Sequence, residues 1–168
     1  MKKIVLFIFV AVFGVMTAIA QEVDSLQSDD LSARVDSLSM QLKQLQHEYD
    51  YLYCKYELDI VAKELQILVN DINNSSNTIL IYDNHNSFDM DLYRAYKLHY
   101  DVSVENFNAI KKKVDALREV VAHKISASNF MVTELNVLRG CNEVIDLAVA
   151  SAETSLNKYK VSIASYLM

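Results

Sequence analysis

The chain has 168 residues, and its 22 acidic against 16 basic side chains give a formal net charge of −6. An acidic chain has few cationic groups to neutralise phosphates, which argues against nucleic acid and anionic membrane surfaces as partners. The sequence holds no proline and only two glycines. Sandwiches, barrels and glycine-rich phosphate loops need turn positions with positive φ, which residues other than glycine adopt at a cost. The composition therefore favours an all-α fold.

Residues 1–20 have the features of a secretory signal peptide. Two lysines precede an apolar run over 4–16, and small residues up to Ala20 form an A-x-A cleavage site. Cleavage there would leave a chain that begins at Gln21. The alternative is an uncleaved anchor over 4–20, which is at the lower edge of the roughly 17–25 residues needed to span a bilayer. We therefore expect export to a periplasm or to the outside of the cell.

A polar, flexible N-terminus over 21–30 is expected to precede a helix over 31–72. Two apolar stripes follow this helix with alternating spacings of three and four residues, as in heptad repeats. The step from Tyr49 to Tyr51 turns about 200° around a helix, so the two stripes lie on nearly opposite faces. The first stripe consists of Leu31, Val35, Leu38, Leu42, Leu45, Tyr49, Leu52 and Tyr56, and the second of Tyr51, Cys54, Leu58, Val61, Leu65, Leu68 and Ile72.

The stripes overlap in the tyrosine-rich stretch "HEYDYLYCKYELD", residues 47–59. One interpretation is a helix that is apolar on both sides because one stripe replaces the other along its length. The alternative is a helix on one broad core, whose apolar face drifts because heptads and 3.6-residue turns fall out of step. In the first case the first stripe is predicted to pair with a second copy of the chain or with a protein partner.

The asparagine- and serine-rich segment 73–88 is predicted to be a loop. Within it, the apolar residues 78–82 are expected to form a short strand or a plug against the end of the bundle. Asp89 and Asp91 then provide the negative charge that a helix N-terminus favours. A second helix is therefore predicted to begin at residue 89.

Helices over 89–125 and 128–167 have similar lengths and a short connection, which predicts an antiparallel hairpin. Together with the first helix they predict an elongated antiparallel three-helix bundle with an N-terminal coiled-coil extension over 31–56. Asn142 is the single polar position in the apolar stripe of the last helix. It would either fix the register or the oligomeric state of a coiled coil, or be a plain solvated or bundle-bonded side chain.

No motif for metal, cofactor or catalysis is recognisable. "HEYDY", residues 47–51, begins like H-E-x-x-H but has tyrosine where the second histidine must be. "DNHNSFDMD", residues 83–91, lacks the central glycine and the terminal glutamate of an EF-hand loop. Cys54 and Cys141 form either a disulfide or two buried, inert thiols. The basic run over 111–113 is interpreted as a solvated helix face.

The sequence therefore predicts an exported, non-catalytic structural or interaction protein that acts through a coiled-coil or helical-bundle surface in the cell envelope or outside the cell. The alternative is a bundle that binds a small hydrophobic ligand or a lipid. Stacking the last two helices from their turn places Tyr96 level with Tyr159. The residues that would line such a ligand site are Tyr93, Tyr96, Tyr100 and Tyr159.

Overall fold

The computed structural model describes the backbone of residues 28–83 and 89–166 and the side chains of 31–80 and 89–166. Helices make up nearly all of it, which confirms the predicted all-α bundle. They are α1 (Ser28–Asp83), α2 (Met90–Ala127) and α3 (Val132–Ser165). The predicted signal peptide lies outside the described residues.

The chain divides into two units, Met1–Gln46 and His47–Met168. The second unit contains the bundle. Of the first unit, the structure describes α1 from Ser28 to Gln46. The large apolar side chains Val35, Leu42 and Leu45 of this part are each at least half exposed.

Consecutive helices of the bundle are antiparallel. Asp50 near the start of the bundle part of α1 contacts Lys124 near the end of α2, whereas Asp71 farther along α1 contacts His99 near the start of α2. The contacts between α2 and α3 show the same antiparallel order. Arg118, later in α2, contacts Asp146, whereas Lys111, earlier in α2, contacts Glu153, which is later in α3. Helices α1 and α3 are therefore parallel to each other.

The core is built from the second stripe of α1 and from apolar side chains of α2 and α3. Five of the seven side chains of the second stripe are completely buried, and Leu68 is 7% exposed. Ser103 of α2 is also buried, and its hydroxyl donates to the carbonyl of His99 at 2.8 Å. The core residues of α2 and α3, with Tyr166 directly after α3, are Phe107, Val114, Leu117, Val121, Leu138, Ile145, Ala152, Leu156, Tyr159, Ile163 and Tyr166.

The ends of α1 differ from the prediction. The helix begins at Ser28 and ends at Asp83, so the last three residues of the predicted flexible N-terminus are helical. The predicted loop over 73–88 is wrong for residues 73–83, and so is the predicted strand or plug over 78–82. Residues 84–88 lie outside the described part of the chain.

The continuation of α1 has a clear physical cause. Ser76 and Ile79 extend the spacing of the second stripe by four and then three residues from Ile72, and all three side chains are completely buried. The Ser76 hydroxyl lies 3.1 Å from that of Ser162 on α3, so its burial leaves no unpaired polar atom there. Burial against the bundle thus outweighs the low helix propensity of asparagine and serine, which is a weak determinant on its own.

Helix α2 begins as predicted, with a side-chain cap. Asp89 accepts hydrogen bonds from the backbone N–H groups of Asp91 at 2.9 Å and Leu92 at 3.3 Å, and this satisfies donors that the first turn leaves unpaired. Helix α3 begins at Val132, four residues later than predicted, because Phe130 is 9% exposed and packs into the core ahead of the helix.

Replacing Ile79 with alanine is expected to lower the free energy of unfolding by about 2–4 kcal/mol, because it opens a cavity in the core. The matched control is Ile67→Ala, the same substitution on the same helix at a side chain that is 68% exposed. It is expected to change the free energy by no more than about 0.5 kcal/mol. Urea denaturation measures both, and an equally small loss in the two variants would contradict the burial of the last turns of α1.

Candidate interaction surface on the first helix

The first stripe of α1 lies outside the core. In heptad notation its d positions are all leucine, which is the pattern of two-stranded coiled coils. Single exposed leucines are ordinary on a protein surface, but a regularly spaced row of them marks a surface that binds another chain. The exposed members are Val35, Leu42, Leu45, Leu52 and Tyr56, and the half-buried ones are Leu31, Leu38 and Tyr49.

Burial distinguishes the two interpretations of the stretch 47–59. A single broad core would bury both stripes where they overlap. Instead, Cys54 and Leu58 are completely buried, whereas Leu52 and Tyr56 are about 60% exposed. The structure therefore favours a helix with two separate apolar faces, of which the bundle covers one.

A buried ion pair fixes α1 against the end of the bundle at this overlap. Asp50, which is 6% exposed, accepts hydrogen bonds from Lys124 Nζ and from Ser128 Oγ, the latter at 2.9 Å. The hydrogen bond to Asp50 raises the pKa of Lys124 above its ordinary value, so Lys124 keeps its charge at neutral pH. The ammonium also lies over the rings of Tyr49 and Tyr53, 6.0 and 5.3 Å from their centroids.

His47 adds a second contact between α1 and the α2–α3 turn. Its Nε2 lies 3.0 Å from Glu134 Oε2, and its ring meets that of Phe130 edge-on at 5.3 Å. Glu134 also accepts a hydrogen bond from the backbone N–H of Met131 at 2.8 Å, at the start of α3. Together with Asp50, these contacts set the rotation of α1 about its own axis at this end of the bundle.

The predicted ligand-lining tyrosines pack against one another. The Tyr159 hydroxyl donates to the carbonyl of Tyr96 at 3.2 Å, which confirms that these two residues are level. Tyr159 is completely buried and its ring meets that of Tyr100 edge-on at 5.7 Å; Tyr93 is half-buried and packs against the same core. These are the contacts of a packed bundle end, so they lend no support to a ligand cavity among these four side chains.

Three polar side chains form a line at this end of the bundle. Asp71 Oδ2 lies 3.1 Å from His99 Nε2, and His99 Nδ1 lies 3.1 Å from the Tyr159 hydroxyl. The order of carboxylate, imidazole and hydroxyl is that of a nucleophilic triad. However, the hydroxyl is completely buried, and burial raises the pKa of Tyr159 to about 12, whereas an activated nucleophile needs a lowered pKa and access to a substrate.

Cys54 and Cys141 are both free thiols. Cys141 lies against Asp59, with Sγ 3.7 Å from Oδ1, whereas Cys54 is completely buried five residues earlier on α1. Burial raises the pKa of both thiols, so each is less readily converted to its reactive thiolate.

The basic run of α2 connects the three helices. Lys113 Nζ lies 2.7 Å from Glu64 on α1, and Lys111 Nζ lies 3.1 Å from Glu153 on α3. The interpretation as a purely solvated face was therefore incomplete, because these half-exposed cations pair with acids of both neighbours. Exposed pairs of this kind contribute little stability each, about 0–1 kcal/mol. Their larger effect is to favour one register of the bundle over others.

Asn142 is bonded within the bundle. It accepts a hydrogen bond from Arg118 Nε at 3.2 Å and donates one to the carbonyl of Leu138 at 3.1 Å. Of the two roles considered for this polar stripe position, the structure therefore shows bonding within the bundle. In the described side chains, every buried nitrogen and oxygen has a hydrogen-bond partner.

Within residues 28–83 and 89–166 no three histidine, cysteine, aspartate or glutamate side chains converge as a metal site would require. None of the helices in the same ranges is apolar over a stretch long enough to cross a bilayer. Comparison of the chain with known protein families, with curated proteins and with solved structures finds no match.

The free energy of unfolding is expected to fall between pH 10 and 12. An unfolded tyrosine loses its proton near pH 10, whereas burial raises the pKa of Tyr159 to about 12, so the folded state retains this proton longer. The stabilisation that comes from the raised pKa of Tyr159 is complete below pH 10. It is lost as the pH rises toward 12, by up to about 1.4 kcal/mol per pH unit.

The variant Tyr159→Phe tests whether Tyr159 causes the loss of stability between pH 10 and 12. The variant is expected to be about 1 kcal/mol less stable than the parent at pH 7, because the hydroxyl loses its hydrogen bonds, but its stability should fall less steeply above pH 10. Tyr56→Phe, at a side chain 60% exposed, is the control and should follow the parent curve. Urea midpoints at pH 7, 10 and 11.5 measure the slopes. Parallel curves for Tyr159→Phe and the parent would contradict the expectation.

Proposed function

We propose that this chain is an exported, non-catalytic structural or interaction protein that binds another helix along the first stripe of α1. One observation carries the proposal: α1 has two heptad-spaced apolar faces, and the bundle buries only the second. The first stripe places leucine at each of its four d positions, 31, 38, 45 and 52, and its large side chains at 35, 42, 45, 52 and 56 are half or more exposed.

Burying this stripe would contribute substantial free energy, because each leucine side chain that leaves water gains about 1.5–3 kcal/mol. An isolated helix spanning only the first stripe would be marginally stable in water. Binding would then also have to order it, at a cost in conformational entropy. Here the residues of the first stripe belong to the continuous helix Ser28–Asp83. A helix that is already formed binds a partner with a smaller loss of conformational entropy.

The contacts of the titratable side chains support a non-catalytic role. The one line of carboxylate, imidazole and hydroxyl described above ends at Tyr159, which has no exposed surface. The two thiols carry a raised pKa, which disfavours nucleophilic attack at neutral pH. Each of these groups is used to pack or pair the helices of the bundle.

The proposal of export rests on the sequence of residues 1–20 alone. It places the partner in a periplasm, in the cell envelope or outside the cell. In a secreting bacterial host, the full chain is expected to lose residues 1–20 and to begin at Gln21, because the A-x-A site fits the peptidase. Intact-mass measurement and N-terminal sequencing check this.

Ala20→Phe is expected to block that cleavage, because the peptidase requires a small residue there. The matched control is Ala33→Phe, the same change within α1, which should leave processing unchanged. A chain that keeps Met1 in its unsubstituted form would contradict cleavage and would favour an N-terminal anchor.

For the case in which the other helix belongs to a second copy, we expect the chain beginning at Gln21 to self-associate. Leu45→Glu should then weaken the association by about a hundredfold, because a charge enters the apolar seam in both copies. The matched control is Leu147→Glu, the same change at a side chain of α3 with similar exposure, 72% against 62%. It should leave the association unchanged.

Sedimentation velocity over a range of concentrations measures this difference. Circular dichroism should show the same helix content in both variants. A monomeric parent chain, or equal effects of the two substitutions, would contradict self-association through the first stripe.

A further inference from the structure

We infer that Asn74 of α1 accepts an N-linked glycan, and that the glycan is transferred before the last turns of α1 pack against α3. Glycosylation at this site rests on the proposed export, because such glycans are added to secreted chains. The sequence "NNSS", residues 73–76, contains two overlapping acceptor motifs of the form N-x-[S/T], which begin at Asn73 and at Asn74. No other N-x-[S/T] occurs in the sequence.

Hydrogen bonding distinguishes the asparagine side chains on this part of α1. Asn70 accepts a hydrogen bond at 3.1 Å from a glutamine one turn earlier, and Asn77 accepts one at 3.1 Å from Lys158 on α3. Within residues 31–80 and 89–166, the side-chain amides of Asn73 and Asn74 have no such partner. The two asparagines with uncommitted amides are therefore the two that begin an acceptor motif.

Burial selects Asn74 as the position at which the folded chain can carry a glycan. Its side chain is exposed, whereas that of Asn73 is half-buried. A glycan is bulky and strongly hydrated, so at Asn73 it would compete with the packing of α1 on its neighbours. At Asn74 it projects into water and leaves the first stripe accessible, because Tyr56 at the end of that stripe lies about 27 Å away along α1.

The folded helix does not present the complete motif on one face. Residues two positions apart are rotated by about 200° around a helix, so Asn74 and Ser76 point to nearly opposite sides. Asn74 is exposed, whereas Ser76 is completely buried with its hydroxyl 3.1 Å from that of Ser162 on α3. The acceptor motif consists of the asparagine together with this hydroxyl. Transfer therefore has to precede the docking of this segment.

The order of synthesis provides an accessible state. Asparagine and serine have low helix propensity, and the burial of Ser76 and Ile79 favours the helix in this part of α1. Ser162, the partner of Ser76, is synthesised long after Asn74, with a delay of roughly 4–18 s at about 5–20 residues per second. During this interval the motif is exposed in the growing chain.

The transfer is a substitution at the anomeric carbon of an oligosaccharide that is carried on a lipid diphosphate. A bond forms between Asn74 Nδ2 and that carbon, while the bond from the carbon to the phosphate oxygen breaks. The lipid diphosphate leaves with the bonding electron pair, and Nδ2 gives up one proton to a base of the transferase. No atom is oxidised or reduced, and the amide remains neutral.

Cell-free translation of the full chain with microsomes tests the site. The folded, protease-resistant chain is expected to carry one glycan, seen as a mass increase that an endoglycosidase removes. The chain with Asn73→Gln should keep this glycan, whereas the matched change Asn74→Gln should give a folded chain without it. With Asn73→Gln present, Ser76→Thr should retain the glycan and Ser76→Ala should abolish it, because only threonine keeps the hydroxyl.

The order of events has its own measurement. A purified chain that folded without a glycan should not be modified by detergent-solubilised transferase, whereas the same chain unfolded in urea should be modified once the urea is diluted in the presence of the transferase. Modification of the folded chain at the same rate would overturn the proposed order.

Translocation is followed in the same microsomes by the loss of residues 1–20 and by protection from added protease. A chain that is translocated without a glycan at Asn74, or a folded Asn74→Gln chain that carries one, would overturn this inference and leave the proposed export intact. A chain that is not translocated would contradict the export on which the inference rests.

Discussion

The structure is governed by one geometric constraint: a helix of a three-helix bundle buries a single face, and α1 carries two. The second stripe is buried from Cys54 to Ile79, so the first stripe has to remain on the surface of its own chain. Asp50 decides which stripe is buried at their overlap. Its carboxylate lies within the α2–α3 end, paired with Lys124 and Ser128, and a buried charge of this kind is tolerated only with its partners in place.

Polar contacts between helices are placed so that they specify one alignment of the bundle. The Ser76–Ser162 pair, the hydroxyl of Tyr159 and the Asp50 carboxylate are all satisfied inside or at the edge of the core. Displacing a helix by one turn would leave such groups unpaired, at a cost of about 1–3 kcal/mol each. The apolar stripes supply most of the stability, whereas these polar pairs restrict the bundle to one register.

The spacing of apolar residues predicted the all-α bundle correctly, whereas the composition of residues 73–83 led to the wrong prediction of a loop. The prediction that Tyr96 lies level with Tyr159 was correct, because only a short turn separates α2 from α3 and the two helices can be aligned from it. The asparagine- and serine-rich segment was interpreted as a loop, although Ser76 and Ile79 continued the spacing of the second stripe. The length and structure of this segment also determine how α1 aligns with the other two helices. The pairing of Lys113 with Glu64 depends on this alignment and was not predictable without it.

We propose that the first stripe of α1 becomes covered when copies of the chain meet. Amide hydrogen exchange of the chain at two protein concentrations about a hundredfold apart measures this directly, because association suppresses the local opening that exposes amides. Coverage of the stripe predicts that amides over 31–49 exchange more slowly at the higher concentration, while those over 54–79 exchange at the same rate in both. Exchange over 31–49 that does not depend on concentration would contradict it.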